Sequence, residues 1–131
     1  MKKRIITVLL VCFCLFLPAS AFAVTPPLIL VADDYNYTYL GELTTNTYDS
    51  DSIFNEYGTY GSKYGSKSIW NKYGTYGSKY SSDSPFNPYA FSPPMIVDGN
   101  YNIVGRLTVN EYMSGAISPY QIYNVLVYLG L

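Results

Sequence analysis

The 131-residue chain carries eight basic and nine acidic side chains, no histidine, and two cysteines, Cys12 and Cys14. With no imidazole, and with both thiols near the N-terminus, the remainder is excluded from Ser-His-Asp hydrolysis, thiol nucleophilicity and most metal centres. Those exclusions tighten once the first segment is read.

Lys2, Lys3 and Arg4 precede an apolar run from Ile5 to Leu17, then Pro18 and the small-residue string Ala19-Ser20-Ala21-Phe22-Ala23. This order is that of a bacterial export signal, cleaved after Ala23 or after Ala21. The rival reading is an uncleaved membrane anchor. The proline and the Ala-x-Ala pattern oppose it. The expected location is therefore periplasmic or extracellular, with no membrane attachment after cleavage. The exported chain of 24–131 contains no cysteine and no disulfide, and it holds five basic against nine acidic residues, a net charge of −4. Such a balance disfavours nucleic acid and anionic membranes as partners.

Residues 28–46 read as a first β-hairpin. Its arms are 28–32 and 37–43, with Asp33, Asp34 and Asn36 near the turn. Residues 48–90 form a tandem array with a sixteen-residue period. Tyr48 to Lys63 reads YDSDSIFNEYGTYGSK and Tyr64 to Lys79 reads YGSKSIWNKYGTYGSK, identical at twelve of sixteen positions; a third copy begins at Tyr80 as YSSDSPFNPYA. The unit is too short for a helix pair and too rich in glycine for long strands. It reads as a ladder of turns and very short strands, with tyrosines stacking between units. A disordered array is the competing expectation. The twenty aromatic residues of the exported chain argue for order.

A second hairpin is expected over 95–110, with Asp98-Gly99-Asn100 as its turn. Residues 105–117 repeat residues 41–53 at an offset of 64, four times the unit length. The two ends are thus related to each other. A helix over 119–129 closes the chain, with Ser118 as N-cap, Pro119 in the first turn and Gln121 as capping-box partner. Ile122, Val125, Leu126 and Leu129 make its apolar stripe, and Gly130 ends it. The expected fold is mainly β, with irregular turn-rich repeats, a small antiparallel sheet from two hairpins, and one C-terminal α-helix packed on it.

The array of 50–90 and its flanks at 28–46 and 95–110 resemble small exported bacterial proteins. Their tandem units approximate Ser-x-Ser-Ile-x-Asn-x-Tyr-Gly-x-Tyr-Gly-Ser-x-Tyr, between hairpins of the form Asp-Gly-x-Tyr-x-Gly-x-Leu-Thr-x-Asn. The resemblance implies export and a repeat fold. It transfers no catalytic or binding residue. The first hairpin departs from it, with Asp33-Asp34 where the pattern has Asp-Gly.

Carboxylates are the chemistry that survives the composition. A glycosidase requires two of them facing across a cleft, and no pair is placed so by the sequence. Asp49-Ser50-Asp51-Ser52 and Asp98 to Asn102 alternate oxygen ligands, but neither continues as a calcium loop. The expected protein is thus neither an enzyme nor dependent on a metal or other cofactor. Its candidate binding residues are Tyr57, Tyr60, Tyr64, Trp70, Tyr73, Tyr76 and Tyr80. Aromatic rows beside serine, asparagine and lysine suit stacking on sugar rings or contact with a protein. Cell-wall glycan or another exported protein is the expected partner. The bland reading is that these rings are the repeat's own packing.

Overall fold

The computed structural model describes residues 24–131, so the export signal expected over 1–23 lies outside the described residues. The elements in chain order are β1 (Ile29–Val31), β2 (Tyr39–Glu42), β3 (Met95–Val97), β4 (Ile103–Leu107), β5 (Ala116–Ile117) and α1 (Ile122–Leu129). They form one five-stranded sheet of order β2-β1-β3-β4-β5 and a single helix. The fold is mainly β, with a small sheet and one C-terminal helix. Four strands pair antiparallel as the two hairpins require. The sheet is nevertheless mixed, because β5 pairs parallel with β4. That edge escaped the sequence reading because two residues carry no alternation pattern.

The two hairpins are copies of one another. Ile29, Leu30 and Val31 face Glu42, Gly41 and Tyr39, with a bulge at the Leu30/Val31 step. Met95, Ile96 and Val97 face Arg106, Gly105 and Ile103, with the bulge at the matching step. Between the hairpins, β1 and β3 run antiparallel around the Leu30–Ile96 pair. This register relates the halves by an approximate local two-fold. Their turns also match. The Asp34 carboxylate accepts the N–H groups of Asn36 and Thr38 through one oxygen. Asp98 accepts those of Asn100 and Asn102 in the same way. Tyr37 and Tyr101 both adopt a left-handed backbone. Thus Asp34, not Asp33, is the counterpart of Asp98; the first hairpin has two extra residues, Ala32 and Asp33, ahead of an equivalent turn in which Tyr35 takes the place of Gly99. These donors, led by the Thr38 and Asn102 N–H groups, hold both carboxyls below the usual aspartate range.

The likeness continues to the sheet edges. Ser52 bridges to Glu42 in parallel, as Ala116 does to Arg106 sixty-four positions later. Arg106 also crosses to the first hairpin, where its Nη1 lies 2.6 Å from Asp33 Oδ2.

Between the hairpins the array is a continuous chain of turns. Backbone hydrogen bonds close from Asp49 to Asn46, Ser52 to Asp49, Asn55 to Ser52 and Gly58 to Asn55, and then from Ser62 to Gly58. Four steps of three residues and one of four make up the sixteen-residue period. The same steps recur from Ser62 to Ser78, and the three-residue steps again from Ser78 to Ala90. Corner residues are therefore serine, asparagine, glycine or aspartate, with Ala90 at the end. Their side-chain oxygens accept the N–H two residues on, as Ser68 does for Trp70 and Asn71 for Tyr73. These are the local turns for which short polar side chains are suited. Asn55, Asn71 and Asn87 also donate through Nδ2 to the carbonyls of Asp49, Gly65 and Ser81. The chain passes so closely inside each unit that a Cβ at Gly61 or Gly77 would collide with the carbonyl of Asn55 or Asn71.

The array lies over one face of the sheet. Ile53 and Ile69 are fully buried in a cluster with Leu30, Leu40, Ile96, Leu107, Ile122 and Leu126. Successive residues of β1 and β3 point to opposite faces, so Val31, Met95 and Val97 form a smaller second cluster. Phe54, Trp70 and Phe86 stack between units, with centroids 6.0 and 5.7 Å apart. Trp70 Nε1 donates to the Ile53 carbonyl at 2.5 Å. Tyr123 and Tyr120 pack edge-on against Phe54 and Phe86. Inter-unit stacking thus belongs to the phenylalanine and tryptophan positions and not, as the sequence suggested, to the tyrosines.

The helix begins later than expected. Ser118 uses its hydroxyl on the Tyr120 N–H and its carbonyl on the Gln121 N–H, which makes one more turn of the array's kind. Gln121 then occupies the cap without a side-chain capping bond. Ile122 and Leu126 are buried, while Leu129, at the end of the expected stripe, is exposed. Gly130 ends the helix in a left-handed conformation, as expected.

The turn ladder makes Asn71 a structural residue although it is partly exposed. Asn71→Ala removes two hydrogen bonds and is expected to lower the unfolding free energy by about 2 kcal/mol in urea titration. Asn71→Asp retains the acceptor and is expected to recover about half of that loss.

Candidate binding surface

Each corner of the array sends the residue two positions later in a set direction. After the asparagine corners stand Tyr57, Tyr73 and Tyr89. After Ser62 and Ser78 stand Tyr64 and Tyr80. Tyr57 and Tyr73 are 98% exposed, and Tyr64, Tyr80 and Tyr89 exceed 80%. Each has its N–H held by the preceding corner oxygen. The rings therefore stand on a backbone that cannot readily turn them inward.

After the glycine corners the outcome differs. Tyr60 packs edge-on against Tyr39 at 5.0 Å. Tyr76 reaches Asp34 Oδ2 through its hydroxyl at 3.4 Å. Both are half-buried ties between array and sheet. Of the sequence candidates, Tyr57, Tyr64, Tyr73 and Tyr80 form an accessible set. Tyr60 and Tyr76 hold the fold, and Trp70 does so on one side while bordering a groove on the other.

That groove opens between the first and second units, with a volume of about 590 Å³. Phe54, Tyr57, Tyr64 and Trp70 supply its aromatic walls, and Glu56, Lys63 and Lys72 its charges. A smaller extension of about 180 Å³ runs along Tyr64, Trp70, Lys72 and Tyr73. The sequence candidates did not include Lys63 and Lys72, which the structure places in the groove lining. No signal local to a lysine places it there, because the groove is made by apposing units. Tyr48, Tyr89 and Tyr112 were also omitted. All three are exposed and follow an asparagine at the same two-residue spacing, a pattern visible in the sequence.

Charge is unevenly placed. Lys63, Lys67, Lys72 and Lys79 all fall within 56–80, with Glu56 as the one acid there; the rest of 24–131 has eight acids and Arg106. All four lysines are exposed. Lys79 lies over the Tyr80 ring, 5.2 Å from its centroid. The acidic side gathers at the outer edge of β2. Burial, then a hydrogen bond that the protonated carboxyl donates to Asp49, and the charges of Asp49 and Asp51, push Glu42 above the usual carboxylate range. Burial and then the neighbouring Asp51 raise the Tyr39 hydroxyl, which donates to Asp51 Oδ2. Among the described residues, no three acidic side chains gather as a metal-holding group.

Comparisons with protein-family models, with curated proteins and with solved structures return no match to this chain. The surface is therefore read from its own chemistry.

Glu42 offers a direct check of the acidic edge. Its folded-state pKa is raised, so its contribution to stability is full below the unfolded pKa and is lost as pH rises through the folded one. Glu42→Gln is expected to raise Tm at neutral pH, and the gain should vanish near about pH 3.5, below the ordinary glutamate range. Thermal melts at the two pH values test this. An equal gain at both would separate the effect from ionisation.

Proposed function

We propose that the chain is an exported, non-enzymatic binding module whose contact surface is the tyrosine face of the repeat array, with cell-wall glycan as its partner class. The observation that carries this reading is the state of Tyr57, Tyr64, Tyr73, Tyr80 and Tyr89. Their positions ask the fold only for a backbone N–H, which any residue but proline supplies. The rings themselves are exposed and contribute little to packing. Five exposed aromatics in a rigid, repeating arrangement form the sort of surface that monomeric proteins reserve for a partner. Tyrosine suits that task because it offers large contact area with few torsions to freeze.

Catalysis by paired carboxylates gains no support from the groove. Its lining carries one acid, Glu56, where hydrolysis of a glycosidic bond takes two. The alternative partner, another exported protein, would use the same rings.

Two measurements test the proposal. N-terminal sequencing of the protein recovered outside the cytoplasm is expected to begin at Val24, or at Phe22 for the earlier cleavage. The triple variant Tyr57→Ser, Tyr64→Ser, Tyr73→Ser is expected to keep its unfolding free energy within about 0.5 kcal/mol of the parent, as exposed substitutions do. It should also lose retention on insoluble cell-wall material. Retention equal to the parent's would remove the tyrosine face from the account. Trp70→Ala is unsuited to this test, because it would also break the ring stack and the bond to Ile53.

A further inference from the structure

We infer that the groove between the first two units is a subsite for an anionic polysaccharide, with sugar rings on Tyr57, Tyr64 and Tyr73 and the acid groups on Lys63 and Lys72. The inference rests on the binding-module reading and names its ligand.

Three observations lead to it. The first is the shape and lining of the groove. At about 590 Å³ it falls in the size range of small-ligand sites. Its lining combines four aromatic rings with two lysines, the pairing that suits a ring bearing a negative group, and one acid, Glu56.

The second is the distribution of charge among near-identical units. Asp49, Asp51 and Glu56 of the first unit give way to Gly65, Lys67 and Lys72 in the second. Asp51, Lys67, Glu56 and Lys72 are all exposed, so packing of the turn does not demand this change of sign. The segment 56–80 nets three positive charges in a chain that is otherwise acidic. Such a local field draws an anion toward the second unit while the acidic remainder repels it elsewhere. Glu56 sits in the same lining and opposes part of this field.

The third is periodicity. Equivalent rings in successive units, Phe54, Trp70 and Phe86, are spaced at 6.0 and 5.7 Å. A ligand lying along the groove meets an equivalent ring, Phe54 and then Trp70, at one such step, while the charge beside it changes from Glu56 to Lys72. A polymer of rings has that repeat; a compact anion does not.

The test measures affinity by calorimetry for polygalacturonate, for its fully methyl-esterified neutral form, and for inorganic polyphosphate. The parent is expected to prefer polygalacturonate to both, and to bind it more weakly when NaCl is raised from about 50 mM to about 500 mM. Lys63→Gln with Lys72→Gln is expected to weaken polygalacturonate binding at least about tenfold, from the loss of two charge-assisted contacts, while leaving the melting temperature unchanged. Equal affinity for the neutral polymer, or full affinity retained by the lysine variant, would overturn the anionic assignment. Retained binding by the lysine variant combined with loss in the tyrosine triple variant would overturn it while leaving the tyrosine face intact. Equal or tighter binding of polyphosphate would reduce the site to a plain charge patch and overturn the saccharide. Salt-sensitive dimerisation of the protein alone, with no affinity for any polymer, would assign the groove to the acidic edge of a second copy instead.

Discussion

The structure depends on one small interaction, made repeatedly: a side-chain oxygen at a turn corner accepting the backbone N–H two residues later. In the array this bond works beside the backbone bonds that close each corner, where a sheet would have its ladder. It is local, so it forms without loop closure. At Phe54, Trp70 and Phe86 it also satisfies a part-buried backbone donor that no strand or helix pairs. Asparagine does more than serine, since its Nδ2 also reaches back six residues to a carbonyl. With four three-residue steps and one four-residue step per unit, the chain returns to an equivalent position every sixteen residues. The period is a consequence of turn geometry, and Ile53 and Ile69 come to lie in one buried column because of it.

Turns of this kind have little to stabilise them alone. The two related hairpins provide what the array lacks. Their pairing through β1 and β3 creates a sheet face with room for the isoleucine column. The array is tied to one edge by the Glu42–Ser52 bridge and toward the other by the Val109 N–H bonded to the Pro85 carbonyl. The helix then seals the aromatic stack by placing Tyr123 and Tyr120 against Phe54 and Phe86. In the absence of disulfides within 24–131, packing and side-chain hydrogen bonds hold the unit together. Thr45 adds a further tie, donating through its hydroxyl to the Leu131 oxygen at 2.7 Å.

The same corner logic separates the tyrosines into two populations. Those after asparagine, or after Ser62 and Ser78, face solvent; those after glycine face the sheet. The aromatic content of the array therefore has two physical roles. Tyr60, Tyr76 and the Phe54–Trp70–Phe86 stack supply cohesion. Tyr57, Tyr64, Tyr73, Tyr80 and Tyr89 supply surface. The lysines accompany the second group, and the acids accompany the sheet edge, so the molecule is polarised although its net charge is small.

Much of this was legible in the sequence. The sixteen-residue period and the two related ends follow from repetition in the sequence itself, and the hairpin arms around Asp98, the buried Ile122 and Leu126, and the glycine that ends the helix follow from local pattern. The code for tyrosine exposure was also present, as asparagine-x-tyrosine against glycine-x-tyrosine, but it has no meaning until the corners are known. The parallel strand β5 and the stacking partners of Trp70 were not legible, and neither was the groove of Lys63 and Lys72. Each arises where segments distant in sequence, or successive units, are brought side by side. The amino-acid sequence by itself determined the turns and their rhythm, because a corner serine or asparagine acts on its own backbone. Only the tertiary structure decided which rings became core and which became surface, because that choice belongs to the sheet face and the helix that cover one side of the array and leave the other open.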